Sequence, residues 1–360
     1  MNIVQQPNSD LYDAMSLGEV MLRLDPGESR IHTTRSFRVW EGGGEYNVVR
    51  ALRRVFSQKT GVITALVDNP VGRLIEDLIL QGGVCTRDIS WTPHDGLGKS
   101  ARNGLNFTER GFGIRNAVGC YDRGNTACSQ MTVADLATVN FNTRLLHTGG
   151  IFVALSNSTP VVAREAMLRA KQAGALVSYD LNYRHSLWQS AGGQTSAQQI
   201  NRSLMPMVDI LFGNEEDFSA ALGLKIEGLD LDSNKLDSRS YSNAVEAITK
   251  EFPNLKVVAT TLRVAKSASK NDWGALLFCQ GKCYESAQRA DLEILDRVGG
   301  GDSFASGVLY GVLTNKDPQW TVECGAAHGA LAMTTPGDTS MATLSEVEKA
   351  MLRGTVRIER

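Results

Sequence analysis

The stretch LDRVGGGDSFASGVLYGVL, residues 295–313, determines how the rest of the chain is interpreted. Three consecutive glycines stand directly before Asp302 and an apolar pattern in which Phe304, Val308 and Val312 recur every four residues. This period places the three apolar side chains on one face of a helix. The stretch therefore predicts a glycine turn that opens into a packed helix.

A glycine turn that opens a helix is suited to bind an anion, because the first N–H groups of a helix lack partners within it and carry partial positive charge. Gly299, Gly300 and Gly301 form this turn, and Asp302 follows in the first helical turn. An anion hole beside one carboxylate suits phosphoryl transfer to a hydroxyl, since the carboxylate orients the attacking O–H. The alternative is that Asp302 only stabilises the helix terminus.

The composition is that of an ordinary globular protein. The chain has 360 residues, 42% of them hydrophobic, and its 37 basic and 39 acidic residues give a net charge of −2, which excludes a strongly basic nucleic-acid-binding surface. No run of eighteen apolar residues predicts a membrane span, and residues 1–15 lack a signal-peptide pattern. The six cysteines and five histidines are scattered without zinc-binding spacing, which fits reduced thiols in a cytoplasmic protein.

Strand and helix patterns alternate along most of the chain, which predicts an α/β fold with a mostly parallel sheet and helices on both faces. Residues 99–133 differ, because apolar and polar residues alternate there without a helical period, and they predict a small antiparallel sheet. The polar stretch 223–242 is interpreted as a surface insertion. Residues 262–272 are predicted to form a loop between two strands.

A second glycine cluster, residues 42–44, precedes another amphipathic helix, in which apolar residues from Val48 to Val55 follow helical spacing. Glycine there lets the backbone approach a ligand closely, or the cluster is a loop that merely leads into the helix. Arg184 follows a predicted strand of the parallel sheet, where ligands gather. The alternative for Arg184 is a solvated surface charge.

These motifs resemble those of the ribokinase-like (PfkB) sugar kinases. The pattern D-x-x-G-x-G-D-x-F, from Asp296 to Phe304, is similar to the C-terminal signature of that family, in which the second Asp is the catalytic base. The stretch around Gly43, Gly44 and Asn47 resembles the N-terminal signature, whose residues face the sugar, although Val49 replaces its usual small residue. The variant DRVGGGDSF most resembles the 2-keto-3-deoxygluconate kinases.

The resemblance implies roles for further residues. Arg123 and Arg184 would hold a substrate carboxylate, a task that suits the guanidinium fork. Asp217 replaces a family Glu, and Asn106 stands where those kinases often have a Tyr. The implied substrate contacts are Gly43, Gly44, Asn47, Tyr121, Arg123, Ile151, Arg184 and Asp338; the implied nucleotide contacts are Asn214, Thr261, Arg263, Ala327 and His328; and Asn214 and Asp217 would order Mg²⁺ through water.

The resemblance also implies a ribokinase-like three-layer sandwich with a β-sheet lid. Residues 13–30, 45–98 and 134–360 would form the core, and residues 31–44 and 99–133 the lid. The expected protein is a cytoplasmic, ATP- and Mg²⁺-dependent kinase of the terminal hydroxyl of 2-keto-3-deoxygluconate. It would bind small molecules only and form a homo-oligomer, with a dimer through the lid as one form. The alternatives are a kinase of a neutral sugar, such as fructose or ribose, and a non-catalytic sugar-binding protein on the same fold.

Overall fold

Strands and helices alternate through residues 12–224 and 238–352, the part of the chain that the computed structural model describes. The strands are β1 (Ala14–Leu17), β2 (Met21–Asp25), β3 (Arg38–Gly42), β4 (Thr60–Asp68), β5 (Ile89–Pro93), β6 (Leu105–Glu109), β7 (Val118–Asp122), β8 (Leu145–Gly149), β9 (Leu176–Asp180), β10 (Ile210–Phe212), β11 (Val257–Ser267), β12 (Lys270–Cys279), β13 (Lys282–Glu285) and β14 (Arg289–Glu293). The helices are α1 (Gly44–Arg54), α2 (Pro70–Gln81), α3 (Gly150–Val153), α4 (Thr159–Gln172), α5 (His185–Ser190), α6 (Gly193–Leu204), α7 (Glu215–Leu222), α8 (Ser238–Glu251), α9 (Gly300–Leu313), α10 (Pro318–Ala332) and α11 (Leu344–Met351).

The large sheet has the strand order β13-β12-β11-β10-β9-β8-β1-β4-β5, with β14 paired to β12. Its strands from β11 to β5 pair in parallel, whereas β12 pairs antiparallel with β11, β13 and β14. The predicted α/β class with a mostly parallel sheet is therefore confirmed. The predicted loop at 262–272 is wrong, because β11 and β12 continue as a hydrogen-bonded hairpin as far as Ser267 and Lys270.

Helices cover both faces of the large sheet, which gives three layers. On one face the core includes side chains from α3 to α8, such as Phe152, Val162, Trp188, Ala197, Phe218 and Ile248. On the other face it includes side chains from α1, α2 and α9 to α11, such as Val48, Ile75, Val308, Ala326 and Val347. Helices α9 and α10 approach closely, since a Cβ added at Gly307 would lie 2.7 Å from the Cα of Gly325.

The small sheet has the strand order β3-β2-β6-β7. Strands β6 and β7 form the antiparallel hairpin predicted for residues 99–133, and β2 joins it in parallel through β6. Strand β2 falls within residues 13–30, which were predicted to belong to the core. It lies in the small sheet because the chain leaves the large sheet after β1 and turns at residues 18–20. The division into core and lid stays a prediction.

Two further predictions concern the insertion at 223–242 and the possibility of a membrane span. Most of the predicted insertion at 223–242, residues 225–237, lies outside the described residues, and α8 begins at Ser238. None of the helices in the described part of the chain combines the length and the hydropathy that crossing a bilayer requires.

Candidate active site

The N-terminus of α9 has the geometry that the glycine turn predicts. Gly299 is the N-cap residue and adopts a left-handed conformation with φ of 79°, and α9 begins at Gly300. A side chain at position 299 would also collide with the carbonyl oxygen of Asp338. Position 299 therefore requires glycine for both its backbone conformation and its close contact with the turn at Asp338.

The other two glycines of the turn have different surroundings. A Cβ added at Gly300 would lie 3.0 Å from Cγ of Met333, so this residue faces α10. A Cβ added at Gly301 would meet no atom within 4 Å. The open side of the candidate anion hole therefore lies at Gly301.

Asp302 lies at the point where the two glycine motifs of the sequence meet in the structure. Its Oδ2 accepts a hydrogen bond from Nδ2 of Asn47 in α1 at 2.6 Å. A Cβ added at Gly44, the first residue of α1, would lie 3.8 Å from Oδ1 of Asp302. Two helix N-termini that are about 250 residues apart in the chain therefore meet at one carboxylate.

The electrostatic surroundings of Asp302 make it a better base than a solvated aspartate. Burial raises the pKa of Asp302 to about 6, and the hydrogen bond from Asn47 opposes this shift. The negative charge of Asp338 raises the same pKa further, and the positive charge of Arg184 lowers it. A base with a pKa closer to neutrality accepts a proton more readily and still ionises at physiological pH.

The carboxyl ends of β8, β9 and β10 lie at one level of the large sheet, since Gly149 pairs with Asp180 and Asp180 pairs with Phe212. The chain beyond β9 carries Asn182, which has a positive φ of 33°, and its Nδ2 lies 3.7 Å from the Cβ position of Gly44. This edge of the sheet therefore faces the N-terminus of α1, as expected for ligand sites in parallel sheets.

The two arginines predicted to bind a substrate carboxylate differ in their contacts. Arg184 is exposed, and its Nη1 donates to the carbonyl oxygen of Tyr183 at 3.1 Å. Arg123 has a side chain only 10% exposed, and its Nε and Nη2 donate to Oε2 of Glu19 at 2.9 and 2.6 Å. Arg184 keeps most of its donors for a ligand, whereas Arg123 already shares its charge with Glu19.

Two carboxyl groups near Asp302, those of Glu45 and Asp180, were given no individual role in the prediction from the sequence. Glu45 is 4% exposed, and its Oε1 accepts the backbone N–H of Phe152 at 3.3 Å. Burial raises the pKa of Glu45 to about 7, and the charge of Asp302 adds to this rise. Burial and the nearby charges of Asp217 and Asp302 raise the pKa of Asp180 as well. Glu45 lies inside the N-terminal signature, and this position was the one feature of the sequence that could have identified it as a site residue.

Asp338, a predicted sugar contact, lies next to α9 and is bound to a buried arginine. Its Oδ1 accepts from Nη1 of Arg23 at 2.6 Å. Burial raises the pKa of Asp338 to about 6 despite this ion pair. Of the other predicted sugar contacts, Ile151 is partly buried in the short α3, and Tyr121 is 57% exposed on β7.

Asn214 and Asp217, the predicted Mg²⁺ residues, form a reciprocal cap at the start of α7. Oδ2 of Asp217 accepts the backbone N–H of Asn214 at 2.9 Å, and the backbone N–H of Asp217 donates to Oδ1 of Asn214 at 2.9 Å. Oδ1 of Asp217 accepts the N–H of Tyr183 at 2.7 Å. Within the described residues, no group of three or more His, Cys, Asp or Glu side chains is arranged to hold a metal ion.

The predicted nucleotide contacts fall into two groups. Thr261 and Arg263 lie on β11, where Arg263 is exposed and Thr261 is partly buried. Ala327 and His328 lie in α10 and have no solvent-exposed surface. Nδ1 of His328 donates to the carbonyl oxygen of Ser303 at 2.8 Å, and burial lowers the pKa of this histidine to about 4. Contact of these two side chains with adenine would require a rearrangement, because α10 packs against α9 there.

An open helix N-terminus, a carboxylate beside it and the exposed cation Arg184 after β9 form an arrangement that suits phosphoryl transfer. A family model described as pfkB family carbohydrate kinase matches residues 12–344, and the chain belongs to this family. The protein is therefore a sugar kinase, a class whose members use ATP. The predicted ribokinase-like fold is confirmed as well.

Several relatives are similar over nearly the whole chain. A 2-dehydro-3-deoxygalactonokinase from Haloferax volcanii is 29% identical over 350 residues, which cover 97% of this chain and 99% of the relative. A crystal structure of 2-dehydro-3-deoxygluconokinase from Thermotoga maritima has 34% identity and a TM-score of 0.85, and covers 94% of this chain and 99% of its own. A crystal structure of a putative ribokinase II from E. coli in complex with ATP and Mg²⁺ shares the fold, with 17% identity and a TM-score of 0.73. The match covers 96% of this chain and 100% of the ribokinase chain.

Proposed function

We propose that this kinase transfers the γ-phosphoryl group of ATP to the terminal hydroxyl of 2-keto-3-deoxygluconate and gives the 6-phosphate and ADP. Asp302 orients the hydroxyl and accepts its proton as the new O–P bond forms. The backbone N–H groups of Gly299 to Asp302 stabilise the charge on the moving phosphoryl group. Asn47 holds the carboxylate of Asp302 through the hydrogen bond of 2.6 Å.

The residues at the start of α7 fit Mg²⁺ held through water. Such an ion keeps several waters and binds through one or two carboxylates together with substrate phosphates. Each carboxylate oxygen of Asp217 accepts one backbone N–H, which leaves each oxygen one lone pair that can accept from a metal-bound water. Mg²⁺ bound there with ATP would neutralise charge on the triphosphate. Asn214 and Asp217 are the residues we propose for this role.

The position of Arg184 is the observation that carries the choice of an acid sugar. Its positive charge lowers the pKa of both Asp302 and Asp180, so this exposed cation is near enough to the proposed base to act on it electrostatically. Arg123 is the second cation, and its Nη1 is left for a ligand after Nε and Nη2 have bonded to Glu19. A guanidinium group pairs well with a carboxylate, which a neutral sugar lacks. The names of the relatives from Haloferax volcanii and Thermotoga maritima support the same substrate class.

A panel of substrates with a coupled ADP-release assay tests the proposal. The panel contains 2-keto-3-deoxygluconate, its galactonate epimer, 5-keto-2-deoxygluconate, fructose and ribose. We expect the highest kcat/KM on 2-keto-3-deoxygluconate. A higher value on the galactonate epimer would correct the stereochemistry, and a higher value on fructose or ribose would refute the acid-sugar reading.

Two arginine variants test how the acid group is recognised. Each charge-assisted contact contributes roughly 1.5–3 kcal/mol, which is about one to two decades of affinity. Arg123→Ala and Arg184→Ala should therefore raise KM for the sugar acid strongly, and much less for an analogue in which the carboxylate is reduced to an alcohol. Arg73→Ala is the matched control, because Arg73 forms exposed ion pairs with Asp68 and Glu76. Equal losses on both substrates would favour a neutral-sugar kinase.

The outer face of the small sheet supports the expected homo-oligomer. Strand β7 is exposed along its whole length, and the adjoining loop carries Phe112 at 74% and Ile114 at 104% exposure. We propose that two copies pair through this face. Light scattering after size exclusion should give a dimer for the wild type and a monomer for Phe112→Ser/Ile114→Ser. A monomeric wild type would refute the pairing.

A further inference from the structure

Arg23 is a buried cation that links the small sheet to two loops of the core. It lies on β2 and is 1% exposed. Its Nη1 contacts Oδ1 of Asp338 at 2.6 Å, and its Nη2 contacts Oδ2 of Asp296 at 2.5 Å. Oδ2 of Asp25, on the same strand, lies farther away, at 3.4 Å from Nη2 of Arg23. The two short contacts use different nitrogens of one planar group and reach residues from two separate segments.

Asp296 connects this arginine to the glycine turn. Its Oδ1 accepts the backbone N–H of Val298 at 3.2 Å, directly before Gly299. Its Oδ2 accepts the backbone N–H of Gly337 at 3.3 Å. The carboxylate of Asp296 therefore fixes both the approach to the anion hole and the turn that carries Asp338.

Asp338 is held from three sides. Oδ1 contacts Arg23, Oδ2 lies so close to Gly42 that a side chain there would collide with it, and the carbonyl oxygen packs against Gly299. Gly42 ends β3 of the small sheet, and Gly299 caps α9. A displacement of the Arg23 guanidinium would therefore act on the predicted sugar contact and on the anion hole together.

We propose that Arg23 is a positioning residue that fixes the Asp338 turn and the Gly299–Gly301 turn relative to each other, and so couples the sugar side of the site to the phosphate side. This inference rests on the proposed roles of Asp338 and of the glycine turn. Arg23 itself touches neither ligand, because it is 1% exposed and both terminal nitrogens are engaged. Lysine cannot replace it, because a single ammonium group lacks the two-nitrogen fork.

The charges around Arg23 indicate that this residue positions the two turns and does not only stabilise the fold. One guanidinium contacts three carboxylates, and Nε of Arg23 has no hydrogen-bond partner in its buried position. Burying such a cluster carries a large desolvation penalty, and well-packed apolar residues often give equal or greater stability. The cluster supplies what apolar packing does not, which is a directional contact to two defined carboxylates.

The test compares KM values for the two substrates across single variants. Arg23→Lys keeps the charge and removes the fork, so we expect KM for ATP and KM for the sugar acid both to rise, with kcat/KM lower by the order of 10- to 100-fold. Asp296→Asn should act mainly on ATP, and Asp338→Asn mainly on the sugar. Calorimetry of ATP binding without sugar measures the anion hole separately, so a wrong assignment of the sugar leaves this part of the test intact.

Arg289→Lys is the matched control. Arg289 forms a partly buried ion pair at 2.5 Å with Glu323, a residue in the first half of α10. The control should lose some thermal stability and keep both KM values. If Arg23→Lys does not fold, the double variant Arg23→Gln/Asp338→Asn preserves the net charge of the cluster, and weaker ATP binding in it supports the proposal. Wild-type ATP affinity in either soluble Arg23 variant would overturn it.

Discussion

Replacing Asp302 with Asn decides whether the carboxylate in the first turn of α9 takes part in chemistry or only stabilises the helix. The substitution keeps the size of the side chain and an oxygen that can accept from Nδ2 of Asn47, 2.6 Å away. It removes the charge and the basicity. A positioned general base contributes about 10²- to 10⁴-fold in rate, so we expect kcat to fall by that factor, or about 3–5 kcal/mol in barrier height.

The same variant has a distinct stability signature. Because the pKa of Asp302 is raised from 3.8 to about 6, the folded protein binds this proton more tightly than the unfolded chain does. The contribution of the group to stability therefore falls as pH rises from about 4 to about 6, and at higher pH the ionised carboxylate costs at most about 3 kcal/mol. Solvent around the partly exposed side chain reduces this cost. Asp302→Asn should be at least as stable as the wild type at pH 8.

Three measurements make up the assay: kcat at saturating ATP and sugar acid, ATP affinity by calorimetry, and thermal unfolding at pH 8 and pH 5. Asp317→Ala is the control, because Asp317 caps α10 by accepting the N–H of Trp320 at 2.9 Å. That variant should lose about 1 kcal/mol of stability and keep kcat. If Asp302→Asn kept more than about a tenth of kcat and lost stability at pH 8, Asp302 would be a helix-stabilising residue and the proposed base would be wrong.

Three further predictions concern the same site. Gly301→Val should weaken ATP binding in calorimetry and leave the melting temperature unchanged, because the added side chain meets no protein atom. Gly300→Val should instead lower the melting temperature, because its side chain crowds Met333. Equal ATP affinity in Gly301→Val and the wild type would contradict the anion hole. Wild-type kcat/KM should fall as pH drops through about 6, where Asp302 gains its proton; a profile flat to pH 5 would contradict this. Glu45→Gln should leave that acidic limb where it is, because Glu45, with a pKa raised to about 7, is still mostly protonated at the pH where Asp302 ionises; a limb moved to lower pH would refute this order of titration.

The parts of the fold that the sequence predicted are those in which local pattern and tertiary structure agree. The four-residue apolar period from Phe304 to Val312 predicted the helix α9, which is buried on almost every side, and the three glycines before it mark its N-terminus. The alternation of strands and helices predicted the parallel sheet, since parallel strands need crossover connections. The family resemblance assigned Asn47 and Asp302 to one site, but the hydrogen bond between them was not predicted.

The polar hairpin of β11 and β12 was predicted as a loop because its composition, LRVAKSASKND, is that of a loop. Most residues of 262–272 are exposed or only partly buried, so their polarity carries no information on whether the backbone is paired. The contact that orders its turn is non-local: the N–H of Ala268 donates to the carbonyl oxygen of Gly113 in the β6–β7 hairpin at 3.0 Å. A single sequence contains no signal for that contact.

The ion cluster around Arg23 was unpredictable for a related reason. Along β2 the polar residues Arg23 and Asp25 alternate with Leu22 and Leu24, a pattern that in an antiparallel sheet normally indicates one solvated face. Here that face turns toward the core, where Asp296 and Asp338 lie 273 and 315 residues away in sequence. The resemblance to the family singled out Arg123 and Arg184, and no motif in the sequence pointed to Arg23. The buried arginine in the strand has the more constrained geometry, because both terminal nitrogens are committed to loops that form the site.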